Sequence, residues 1–201
     1  VQSGLGRTGA WFAHQHEGVR PDGLIVGKAL GGGVYPVSAF LSSRAVMQVF
    51  GPGSHGSTFG GNALAAAIGL EALNVIEDEG LVARSAELGV YLRTRLAAMT
   101  QGLARDVRGL GLWVGVEIDA GVASAKAIVA ELADAGVLTK ETHETVIRFA
   151  PPLTISRAEL DWGLTRCTAV FRKAGAASEA AAAWSDTGSI LPGRRSGRLV
   201  D

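Results

Sequence analysis

The lysine in "DGLIVGKALGGGVYP" (residues 22–36) stands at the end of a short apolar run, directly before an Ala-Leu step and three glycines. An amine nucleophile needs such a setting. To condense with an aldehyde an ammonium group must first lose its proton, and a lysine in water holds that proton up to about pH 10.4. Burial at a strand end, in a low-dielectric cleft, lowers that value. Ala29 and the glycines at 31–33 leave room for a flat ring and a close backbone. A surface lysine closing a strand satisfies the same fifteen residues, so Lys28 has two readings.

Two further stretches carry candidate chemistry. "GSHGSTFGGN" (53–62) places Ser54, Ser57 and Thr58 among glycines whose N–H groups can cradle a phosphate. The G-x-x-x-x-G-K-[ST] spacing is absent, and a plain loop has the same composition. In "VIRFAPP" (146–152) Arg148 interrupts an apolar strand. Its guanidinium faces either a ligand carboxylate, the natural bidentate partner, or an internal ion pair. His14 and His16 are two apart, but no Cys, third His or carboxylate set completes a metal site, so no metal is expected.

These residues need elements to hold them. "RPDG" (20–23) is a turn signal, and "LIV" (24–26) reads as a short strand buried on both faces. "VSAFLSS" (37–43) predicts a second strand. After the glycine-rich loop, Asn62 is a good N-cap for a helix with Leu64, Ile68, Ala72 and Val75 on its apolar face and Gly80 as its stop. A helix over about 81–100 follows, striped by Leu81, Leu88, Leu92, Leu96 and Met99. Alternation in "LWVGVEI" (112–118) predicts a strand of period two. Ser124 and Gly136 bound a helix over 124–135, and "VLTKE" and "VIRFAPP" read as strands. "SRAE" (156–159) has the spacing of a capping box, opening a helix with Leu160, Leu164, Cys167 and Phe171 on one face. Residues 174–201, rich in Ala, Ser and Gly, read as a disordered or weakly helical tail. There Arg194, Arg195 and Arg198 are expected to be solvated.

The chain of 201 residues is long enough for one large domain or two small ones, with a boundary expected near 76–80. It is 47% hydrophobic and 19% charged, a balance suited to a sizeable core. Nineteen basic and nineteen acidic residues cancel, so nothing asks for nucleic acid or an anionic membrane. No run reaches the roughly 18 apolar residues of a membrane span. The single cysteine, Cys167, falls on an apolar helix face and reads as core filler in a reducing, cytoplasmic compartment. The opening "VQSGLGRTG" is turn and loop chemistry, which reads as the interior of a longer or split chain.

In order and spacing, "QSGLGRTG", "RPDGLIVGKALGGGVYPVSAFL", "HGSTFGGN", "RGLGL" and "IRFAPPL" resemble the class III, pyridoxal-phosphate-dependent aminotransferases over about residues 1–173. "GGGVYPVSA" and "IRFAPPL" point to the ornithine-using members. The resemblance implies an α/β, fold-type I architecture: the C-terminal part of the large cofactor-binding domain (1–77), an α+β small C-terminal domain (78–173), and a tail outside the family pattern (174–201). It implies pyridoxal 5'-phosphate as cofactor and amino-acid and 2-oxo-acid substrates. Lys28 matches the lysine that holds the cofactor covalently and then shuttles a proton. Thr58, with Ser57 beside it, matches the threonine that binds the cofactor phosphate from the neighbouring subunit of a homodimer. Gln2 matches a glutamine near the cofactor's phenolic oxygen, and Arg148 the arginine that takes substrate carboxylate.

The same resemblance marks what is not in these residues. The family's aspartate partner of the ring nitrogen, its phosphate loop and its stacking aromatic precede the equivalent of Val1. A separately encoded N-terminal half is therefore one expectation. The other readings are an inactive or interaction-only remnant, and a relative with another ω-amino substrate such as acetylornithine. Strands within 1–50 would lack sheet neighbours, so the lone chain is expected to aggregate or oligomerise.

Overall fold

The computed structural model describes residues 1–187. Two short strands come first, β1 (Gly23–Val26) and β2 (Ala39–Ser42), paired antiparallel as a two-stranded sheet with Leu24 opposite Leu41. A one-turn helix, α1 (Arg44–Met47), leads into the glycine-rich loop, and α2 (Ala63–Asp78) follows it. The rest of the chain alternates: α3 (Leu81–Met99), β3 (Ala104–Leu110), β4 (Trp113–Ile118), α4 (Ala125–Asp134), β5 (Lys140–Thr142), β6 (Val146–Phe149) and α5 (Arg157–Thr187). The last four strands form one antiparallel sheet in the order β3-β4-β6-β5.

The main core lies between that sheet and α3, α4 and α5. Period-two alternation sends Val114, Val116 and Ile118 of β4 inward, where they meet Ile147 and Phe149 of β6. Leu88, Leu92 and Leu96 of α3 cover them, with Ile128 and Leu132 of α4 and Leu164, Cys167 and Phe171 of α5. Each such aliphatic side chain contributes on the order of 1.5–3 kcal/mol when fully buried. Burial pushes the Cys167 thiol up to about 12, which suits an inert core residue. A second, smaller cluster of Leu5, Ile76 and Leu81 joins the N-terminal loop to α2 and α3. Among the described residues no helix is long and apolar enough to cross a membrane.

The expected helix starts are present as hydrogen bonds. Asn62 Oδ1 accepts from the Ala65 N–H at 2.8 Å. Ser156 and Glu159 form the reciprocal pair, with the Glu159 N–H to Ser156 Oγ at 3.2 Å and the Ser156 N–H to Glu159 Oε2 at 2.8 Å. Asn62→Ala is expected to lower stability by about 1 kcal/mol. Asn62→Asp should restore most of it, and both are read from the midpoint of denaturant unfolding.

Two expectations need correction, and one strand was not expected. The face that α2 buries is Ala65, Gly69 and Ile76, not the one through Leu64, which is 59% exposed. Small residues are buried because the turn after β1 comes close: Leu30 lies 3.7 Å from where a Gly69 Cβ would stand. β1 is not covered on both faces, since Ile25 is 58% exposed. β3 had no counterpart in the sequence reading. Its charged residues hide its pattern, and they are satisfied on the sheet surface, where Arg108 pairs with Asp106 at 2.8 Å and Glu117 at 2.6 Å. Finally, α5 runs on to Thr187, so over 174–187 the helical one of the two tail readings, disordered or weakly helical, is the one observed. The tail reading of Arg194, Arg195 and Arg198 lies outside the described residues.

Candidate active site

Lys28 follows β1 and opens a single 3-10 turn, Lys28–Gly31. The turn is closed by backbone bonds from Leu30 N to Gly27 O and from Gly32 N to Ala29 O. Gly32 takes the left-handed conformation that ends it, at φ 59°. Lys28 itself has φ 51°. A residue with a Cβ loses roughly 1–2 kcal/mol in that region, so a lysine placed there marks a position where the side chain matters more than backbone comfort.

The Lys28 ammonium faces the Gln2 side chain, with Nζ 3.5 Å from Oε1, at the outer limit of a hydrogen bond. Both line a cleft of about 220 Å³ with Leu5, Arg7, Trp113 and Ala150. This is smaller than the roughly 300–1,000 Å³ of enclosed small-molecule sites. The burial expected around Lys28 is absent: the residue is exposed, walled on the Gln2 side and open on the other. Burial ends with Val26 and Gly27, and Lys28 lies past the two-stranded sheet with no further strand beside it.

Arg148 sits mid-strand in β6, opposite Gly115 of β4 and Lys140 of β5. It is half-buried and, among the described residues, enters no ion pair. That removes the internal ion pair as its explanation within those residues. Alternation puts Arg148 on the same sheet face as Trp113 and Ala150, two residues along the chain, roughly 7 Å, from Ala150 in the cleft wall. The guanidinium of Arg148 is thus a free cation beside the cleft rather than inside it.

Ser57 and Thr58 are not brought to Lys28. They lie in the exposed loop before α2, where Ser57 Oγ accepts from the Gly60 N–H at 3.1 Å, and neither lines the cleft. His14 and His16 serve the N-terminal loop: His14 Nδ1 lies 2.9 Å from Val19 O and His16 Nε2 3.1 Å from Thr8 O. Among the described residues no group of three or more His, Cys, Asp or Glu is placed to hold a metal.

Two cleft residues escaped the sequence reading. Trp113 starts β4 on the face away from the core; its signal was an aromatic out of phase with the Val114–Ile118 alternation. Arg7 lay inside a quoted motif without a role, and nothing local distinguishes it from a surface arginine.

The donor set suits an aldehyde-bearing aromatic cofactor: an aimed amine, an amide beside it, apolar walls and a guanidinium one step away. Comparison with known proteins points the same way. Residues 1–171 match the family model described as aminotransferase class-III. The ornithine aminotransferase of Halalkalibacterium halodurans is 52% identical over 172 residues, covering 86% of this chain and 42% of that protein. That of Bacillus subtilis is 49% identical over 174 residues, covering 87% and 43%. Among solved structures, a Toxoplasma gondii ornithine aminotransferase with partial occupancy of PLP at its active site superposes with a TM-score of 0.85 at 40% identity, over 89% of this chain and 43% of that one. The acetylornithine aminotransferase of Elizabethkingia anophelis superposes with a TM-score of 0.81 at 42% identity, over 86% and 44%. The chain therefore spans less than half the length of the relatives it matches.

Proposed function

Because this chain belongs to the class-III aminotransferases, we propose that it forms the lysine-bearing part of a pyridoxal-phosphate-dependent ornithine aminotransferase. In that role it moves the δ-amino group of ornithine to 2-oxoglutarate. The observation that carries the reading is Lys28, held in a left-handed backbone conformation opposite Gln2 in a chain about half identical to ornithine aminotransferases. We assign residues 1–77 to the cofactor-binding domain and 78–173 to the small domain.

The chemistry supplied by pyridoxal phosphate is an aldehyde and an electron-accepting ring. This chain's residues do the rest. The Lys28 amine holds the cofactor and, once released, carries the proton to and from the amino-bearing carbon of the substrate. The Gln2 amide would hydrogen-bond the cofactor's phenolic oxygen. Leu5, Trp113 and Ala150 line the cleft beside the amine. Arg148 takes the substrate carboxylate, in keeping with its free guanidinium. Ser57 and Thr58, remote from Lys28 of their own chain, serve the phosphate of a partner subunit in a homodimer. We place it in the cytoplasm, in arginine breakdown and proline formation, as the ornithine reading implies, acting on small amino and oxo acids without nucleic acid or membrane.

A second reading has its own support. The acetylornithine enzyme of known structure is as similar to this chain as the ornithine enzyme, so the amino donor rests on "GGGVYPVSA" and "IRFAPPL". The deciding measurement compares kcat/KM for ornithine and N-acetylornithine with 2-oxoglutarate as acceptor. We expect a preference for ornithine, and the reverse order would assign the chain to the acetylornithine branch. In the same assay Arg148→Gln should raise KM for 2-oxoglutarate by roughly tenfold or more, the loss of one charged hydrogen bond. An unchanged KM would remove Arg148 from carboxylate binding.

A further inference from the structure

Arg7 is a cation held between backbone carbonyls. Its Nη1 donates to the carbonyl oxygens of Leu112 at 2.9 Å and Pro151 at 2.5 Å. Among the described residues it enters no ion pair. Burial lowers its pKa from the ordinary arginine value, so its charge is kept at a desolvation cost that a surface arginine does not bear. A neutral chain of similar length would fill the same space without that cost.

The backbone on either side of Arg7 is pinned as closely. Ser85 Oγ donates to the Arg7 carbonyl at 3.1 Å and accepts from the Leu112 N–H at 3.1 Å. A Cβ on Gly111 would stand 2.6 Å from both Arg7 O and Gly9 N, and one on Gly9 would stand 2.8 Å from Ala86 Cβ. The N-terminal loop, α3 and the β3–β4 turn therefore meet at backbone distance. Gln2 lies five residues before Arg7, and Arg148 three before Pro151. Arg7 and Ala150 also share the wall of the Lys28 cleft.

Building on the transaminase reading above, we propose that Arg7 is a positioning residue that sets the separation between the Lys28 amine and the Arg148 guanidinium. It does so by fastening the 150–152 segment, which continues the Arg148 strand, to the loop that carries Gln2. Losing the Pro151 and Leu112 bonds lets the two walls of the cleft drift apart. Lysine is a poor substitute, because its ammonium is more strongly hydrated and sits on a shorter stem.

The test uses pyridoxal phosphate with borohydride as the probe. The aldehyde and the amine condense with loss of water, hydride reduces the product, and peptide mass mapping locates the stable pyridoxyl-lysine. Labelling of Lys28 is normalised to Lys126, Lys140 and Lys173. Arg7→Met and Arg7→Lys are compared with Val116→Ala, a core variant that does not line the cleft, at a temperature where all three remain folded. Both Arg7 variants should slow Lys28 labelling by on the order of tenfold, while Val116→Ala leaves it unchanged. Equal labelling in Arg7→Met and Val116→Ala would overturn the positioning role and leave the transaminase reading standing. Absence of preferential Lys28 labelling in the unaltered chain, tested together with the N-terminal part of a class-III relative, would overturn that reading, and this inference with it.

Discussion

Replacing Lys28 by alanine is expected to abolish preferential labelling by pyridoxal phosphate and to cut transamination by on the order of 10³-fold or more, the scale of a positioned proton carrier. The more telling variant is Lys28→Gly. At φ 51° the lysine backbone is strained in a way that glycine is not. Glycine gives back some of that gain through its greater freedom in the unfolded chain. Lys28→Gly should therefore match or exceed the unaltered chain in stability, by up to about 1 kcal/mol, while being as inactive as Lys28→Ala. Thermal midpoints and mass mapping together decide it. A glycine variant that is both stable and active would take Lys28 out of the chemistry. One that is inactive and clearly less stable would mean that the lysine supports the turn instead.

Gly89→Ala should cost about 3 kcal/mol or more in denaturant unfolding, although it lies inside α3. Helix propensity alone favours alanine over glycine by about 1 kcal/mol. Packing reverses the sign: a Cβ on Gly89 would stand far closer than 3.0 Å to the Gly111 carbonyl, which is backbone and cannot swing aside. α3 would have to separate from the β3–β4 turn, and that turn in turn holds the Arg7 loop. Gly163 in α5 is the control, since a Cβ there meets nothing within 4 Å. Gly163→Ala should stabilise by about 0.5–1 kcal/mol. If the two substitutions shift stability alike, the close approach of α3 to the turn is wrong.

The two glycines show where sequence reading stops. Both sit in helical patterns and look alike from their neighbours. Their difference is the arrival of residue 111, more than twenty positions away. The leucines of α3, the alternation of β4 and the capping pairs at Asn62 and Ser156 were readable because each is a regularity within one turn or one pleat. β3 was not readable, because its charged residues, which pair with one another and with Glu117 on the strand beside it, mask its alternation. Nor was the buried face of α2, which is chosen by the turn that packs on it rather than by its largest apolar residues.

The candidate site divides in the same way. From residue order alone came Lys28, Ser57, Thr58 and Arg148 as the chemically equipped positions, and Gln2 came with the family whose pattern they resemble. Tertiary structure decided which of them meet. It put Lys28 across from Gln2 and Arg148 one strand-step off the cleft wall, left Ser57 and Thr58 on a separate loop, exposed an amine expected to be buried, and brought in Arg7 and Trp113. Residue types and local spacing are written along the chain, whereas the approach of one backbone to another is a property of the folded whole.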